Sequence, residues 1–191
     1  MSVHFDVSKI SFFGLDDWSV AVCAWRGCCI QVFSRAEHSV ADCIEVLRTA
    51  GLSLSKDAFN PFAGNRIKAL RNCIAQHGFG GHGKVALERI AAWERLYEAR
   101  AHLAHGIVKA TPDGISVTHI TFDGKAETQH PAKNLTRFEM LEMLADIEAA
   151  QKSLHGQLGQ IKALAAKAKP VPSPKPSSQR KLGPQAAGTA L

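Results

Sequence analysis

From Asp16 to Ala50 the chain contains no proline and no cluster of turn residues. Val22, Trp25, Cys29, Val32, Ala36, Val40, Cys43 and Leu47 recur through it at spacings of three or four. That period puts the apolar side chains on one stripe of an α-helix, with Gly51 as its C-terminal stop and a kink expected near Gly27. At 1.5 Å per residue the helix would be roughly 50 Å long, enough to act as the spine of a bundle. A spine of this length restricts the remaining chain to elements that can cover its stripe.

A second long helix is announced by Thr136-Arg137-Phe138-Glu139, which has the capping-box form. Phe138, Leu141, Leu144, Ile147, Leu154, Leu158 and Ile161 follow at helical spacing to near Lys167. Between the two long helices, Arg66–His77 predicts a short helix, Gly78–Gly83 an interruption, and Lys84–His105 a third helix stopped by Gly106. From 107 to 130 the pattern changes to alternation, with turns at Pro112-Asp113-Gly114 and Asp123-Gly124, so a small β-hairpin or meander is expected. The fold class is therefore all-α: a four-helix bundle over residues 1–166, its first and last helices roughly antiparallel, with a β insert near 107–130.

Residues 167–191 mix proline, serine and basic residues with little that is apolar, and are expected to form a disordered tail. That tail carries +5 of the chain's formal +6, leaving the folded part at +1, so any nucleic-acid surface on it has to be local. The five cysteines lie in helical pattern without CxxC spacing and read as reduced, buried, small hydrophobes. The first residues lack the form of a signal peptide, and Val20–Phe33 is too short to span a bilayer and carries Arg26. The cytoplasm is the expected compartment. Trp18, Trp25 and Trp93 sit at helical spacing and are assigned to packing.

Arg100-Ala101-His102-Leu103-Ala104-His105-Gly106 lies at a predicted helix end. Here the chain resembles the HEPN superfamily, helical bundles whose metal-independent ribonuclease members carry an arginine and, after four to six intervening residues, a histidine. The resemblance implies a homodimer in which both copies' Arg100 and His105 meet in one cleft. His105 would move the proton of the ribose 2′-hydroxyl and Arg100 would hold the phosphate. Family members usually place a polar residue after the arginine; this chain has Ala101, and His102 could substitute. The partners implied are RNA, a second copy, and an antitoxin or other protein partner; no cofactor is needed. The bland alternative is a helix-dipole histidine and a solvated arginine on a non-catalytic interaction or scaffold bundle.

Three further patterns compete. Arg71-Asn72-Cys73-Ile74-Ala75-Gln76-His77 is a rival placement of the same motif on the shorter helix, and Arg71 could line the same cleft. Glu98, His102 and His105 share a helical stripe that could ligate a divalent ion, but no matching pair stands on another helix, so no metal is expected. Gly78 to Lys84 satisfies GxxxxGK, placing Lys84 as an anion contact. Yet Val85 replaces the required Ser or Thr, and helix rather than strand precedes the loop, so a helix-helix connection is expected instead of a nucleotide site, and Lys84 joins Arg71 as an expected nucleic-acid contact.

Overall fold

The computed structural model describes residues 17–123 and 126–167. The expected tail from 168 onward, and the Gly124 side of the second turn, lie outside the described residues. Among those described, the chain is mostly helical, with a small antiparallel sheet inserted before the last helix.

Helix α1, Trp18–Thr49, runs unbroken through Gly27. Asp17 caps it, its carboxylate accepting from Ser19 N at 2.8 Å, and the left-handed Gly51 (φ 78°) follows its end. The predicted stripe is the buried face: Val22, Trp25, Cys29, Val32, Ala36, Val40, Cys43 and Leu47 are all at most 5% exposed. A short 3-10 turn, Lys56–Phe59, leads to α2, Ala63–His77. Helix α3 spans Gly80–Glu94 and α4 spans Tyr97–His105. The third helix expected from sequence is thus two helices, with a turn at Arg95 and Leu96 between them. Both residues stay in right-handed helical conformation, so no glycine or proline marks the change.

The interruption expected over Gly78–Gly83 is only two residues long. Gly78 (φ 77°), Phe79 (φ 48°) and Gly80 (φ 57°) are successively left-handed and reverse the chain, and α3 begins at once. Gly83 then packs its Cα against the Gly78 carbonyl oxygen, where a β-carbon would overlap it.

Strands β1 (Ile107–Thr111), β2 (Gly114–Thr118) and β5 (Lys133–Thr136) form an antiparallel sheet in the order β1-β2-β5. Strands β3 (Ile120–Asp123) and β4 (Ala126–Gln129) form a separate two-stranded hairpin. The insert therefore extends beyond 130 to Thr136. The capping box forms as expected: the Thr136 hydroxyl accepts from Glu139 N (3.2 Å), and the Glu139 carboxylate accepts from Thr136 N (2.7 Å). Helix α5, Arg137–Lys167, follows.

The first and last helices run parallel, not antiparallel. Arg137 lies over the Trp18 ring (4.1 Å), Trp25 Nε1 donates to Met140 O (2.8 Å), and Ser39 Oγ meets His155 Nδ1 (2.9 Å), so both numbers rise together. The sheet is responsible, because it returns the chain to the start of α1. Trp18 Nε1 donates to Thr111 O and Gly114 O at the β1–β2 turn, and Arg137 N donates to Asp113 O in the same turn.

Of the cysteines, Cys29, Cys43 and Cys73 are buried as expected, Cys28 is half-buried, and Cys23 is exposed, which corrects its assignment to the interior. Burial pushes the Cys29 and Cys43 thiols up to about 12, so neither is a nucleophile at neutral pH.

Candidate functional site: a histidine cluster at the end of α4

Helix α4 is held between α1 and the sheet, and its residues divide accordingly. Arg100 and His102 are two positions apart, about 200° around the helix, so they face opposite ways. Arg100 faces α1: its Nε donates to Glu37 Oε1 at 2.6 Å, and Tyr97 OH donates to the same oxygen at 3.1 Å. The side chains of Arg100 and Glu37 are 29% and 17% exposed, so the pair is partly screened by solvent. Burial first, then the Glu37 charge, pushes the Tyr97 phenol up to about 12, so it stays protonated and donates.

His102 faces the sheet and is 7% exposed. Its ring lies 4.9 Å from that of His119 and 6.3 Å from that of His130, while His119 and His130 stack at 5.5 Å with 17° between their planes. The position of His119 follows from strand alternation. Ile115 and Val117 point inward at 1% and 2% exposure, and the next inward position is His119 at 9%. His130 comes from the far end of the β3–β4 hairpin. Its N–H donates to His119 O at 2.9 Å, and its Nε2 lies 2.9 Å from Thr121 Oγ1.

Burial, followed by the charges of His102, His130 and His105, holds His119 below the ordinary value of 6.5. His119 is therefore neutral at pH 7 and able to accept a proton. Its folded-state value is lower than its unfolded value, so the unfolded chain binds more protons as the pH falls below 6.5. The stabilisation is complete above that pH and is lost on acidification. The melting temperature should therefore fall between pH 7 and pH 5.5 more steeply for the wild type than for His119→Gln, and parallel pH profiles for the two proteins would remove His119 as the cause.

His105, in the last turn of α4, is exposed. The backbone around it is fixed by Arg26 of α1, whose Nε donates to Leu103 O (2.6 Å) and whose Nη2 donates to Ala104 O (3.3 Å) and Gly106 O (3.2 Å). These carbonyls belong to the helix end that has no intrahelical partner, and the guanidinium satisfies them. Gly106 is required by close approach: a β-carbon would overlap His102 O and crowd Thr118 O and Val117 Cγ1.

The structure thus brings His102, His105, His119 and His130 to one end of α4. It does not bring Arg100 beside His105 within one chain, because five positions along the helix turn them about 140° apart around the axis. Arg71 lies elsewhere, its Nη1 paired with Glu94 Oε2 at 2.8 Å across α2 and α3. Lys84 is exposed in the first turn of α3. The Glu98 side chain lies outside the described residues, so the expected Glu98, His102 and His105 stripe is described at its histidines alone. Among the described residues no group of three or more His, Cys, Asp and Glu side chains is placed to hold a metal ion, and the stacking of His119 on His130 is one reason, since parallel rings do not aim at a common point. His119, His130 and Arg26 were not among the site residues expected from the sequence. The available signal was weak: a histidine at an inward strand position, and a lone cation in the apolar run of α1. No helix among the described residues is long and apolar enough to cross a membrane.

No protein-family model, no curated protein sequence and no solved structure matches this chain.

Proposed function

We propose that this chain is a HEPN-like cytoplasmic helical bundle that cleaves RNA without a metal ion and works as a homodimer, with an antitoxin or other protein as a further partner. The observation that carries the reading is the exposed His105 at a rigidly capped helix end, beside imidazoles of which His119 is held neutral. His105 takes the proton of the ribose 2′-hydroxyl as that oxygen attacks phosphorus. The 5′-oxygen departs with a proton from a second imidazole, leaving a 2′,3′-cyclic phosphate. Arg100 holds the phosphate, and its 140° separation from His105 is the reason for a second copy: each cleft combines the arginine of one protomer with the histidine of the other.

A second reading is favoured by the Glu37 ion pair, which already satisfies Arg100. In that case the bundle is a non-catalytic interaction module. Cleavage of a mixed RNA pool in EDTA separates the two. On the ribonuclease reading, His105→Ala lowers the rate at least about a hundredfold and, being an exposed change, leaves the thermal transition in place. Arg100→Ala leaves Glu37 unpaired, so its activity is read beside the Glu37→Ala/Arg100→Ala double variant. Intact RNA with the wild type removes the ribonuclease reading and leaves the interaction module or an inactive relative.

A further inference from the structure

The folded part is close to neutral as a whole, but its charge is unevenly placed. From 51 to 87 there is one acid, Asp57, against Lys56, Arg66, Lys68, Arg71 and Lys84. Helix α2 itself contains no acid at all. Arg71 is paired with Glu94, while Lys56, Lys68 and Lys84 are exposed.

At the head of this basic stretch stand two phenyl rings that the core does not use: Phe59 is 61% exposed and Phe62 is 72% exposed. They are not on a loose loop. Ala58, 3% exposed, anchors the 3-10 turn; the Asn60 side-chain carbonyl accepts from Phe62 N at 2.9 Å; and Arg66 Nη1 donates to Asn60 O (3.0 Å) and Pro61 O (2.9 Å). The backbone between the rings is thus fixed by a proline, an Asx turn and a guanidinium clamp, which sets the positions from which both exposed rings project.

Exposed, pre-positioned aromatic faces flanked by lysines are the elements of a single-strand nucleic-acid platform, where bases stack on rings and the backbone follows positive charge. We propose that the Phe59–Phe62 loop and the adjoining face of α2 bind single-stranded RNA, with bases on Phe59 and Phe62 and phosphates at Lys56 and Lys68. This rests on the RNA reading above and assigns the substrate its single-stranded form. The charge selects an anionic occupant, and a strand whose bases stack on the rings while its phosphates follow the lysines uses both features at once.

The test is the affinity of the full chain for a fluorescein-labelled oligouridine by fluorescence anisotropy, in the His105→Ala background so that no strand is cut. Phe59→Ala and Phe62→Ala should each weaken binding by roughly five- to a hundredfold without moving the melting temperature, Phe62→Trp should retain affinity, and an RNA duplex of the same length should bind less tightly. Equal affinity of the Phe59→Ala/Phe62→Ala double variant and its parent would overturn the platform and assign the rings to a protein contact; so would tighter binding of the duplex. Ring-dependent binding by a wild-type chain that never cuts RNA sustains the platform and removes the nuclease. Cleavage with an unchanged KM in both phenylalanine variants does the reverse.

Discussion

Trp25→Ala is expected to destabilise the fold by about 3–5 kcal/mol, the largest effect of any single change considered. For a chain of this size that corresponds to a fall in melting temperature of roughly 6–20 °C, measured by circular dichroism. Two losses combine. The indole is 1% exposed, and its removal leaves a void where α1 faces α5. Its N–H also donates to Met140 O at 2.8 Å, one of few polar ties between the two long helices. Trp25→Phe keeps most of the volume and loses the donor, so it should cost clearly less than alanine. A shift under about 2 °C for Trp25→Ala would contradict the packing of α1 on α5 at this level.

Gly83→Ala comes second, and it also decides what the glycine-rich segment is for. A β-carbon at 83 would overlap the Gly78 carbonyl oxygen, which is backbone and cannot rotate away. Either α3 shifts or the left-handed turn over 78–80 opens, at a cost of about 1–3 kcal/mol, typical of overpacking. Gly81→Ala meets nothing within 4 Å and should be close to neutral. If the GxxxxGK spacing marked a nucleotide site, Lys84→Ala would lower ATP affinity and Gly83→Ala would matter through the ligand. The packing explanation requires instead that Gly83→Ala lowers the melting temperature with no nucleotide present. A wild-type melting temperature for Gly83→Ala would refute it.

The parts of this fold that could be read from sequence are those whose signals are local. The α1 stripe, the Thr136–Glu139 capping box and the Pro112–Gly114 turn each depend on residues within one turn or one hairpin, and each forms as the residue chemistry requires. Helix direction does not depend on such signals. Whether α5 runs with or against α1 is decided by where the sheet delivers Arg137, which is fixed by Trp18 bonding to Thr111 and Gly114, more than ninety residues away. The α3–α4 break was hidden for another reason: Arg95 and Leu96 remain helical, and apolar spacing continues across them. At the site, Arg100, His102 and His105 were legible because they are close in sequence. His119 and His130 were not, because a histidine at an inward strand position looks the same as any other alternating residue until the hairpin folds it onto α4.

The parallel pairing of α1 and α5 also determines when the fold can form. Trp25 and Met140 are 115 residues apart, and Ser39 and His155 are 116 apart. At ribosomal rates, about 6 to 23 s elapse between synthesis of the two partners. During that interval the apolar stripe of α1 is without the helix that covers it, because α2, α3, α4 and the sheet must be laid down first. The closing step joins contacts more than a hundred residues apart, and such steps are slow because loop closure precedes any packing gain. A ribosome stalled within α5 would therefore present a chain whose longest helix is still partly uncovered, a natural substrate for a holding chaperone.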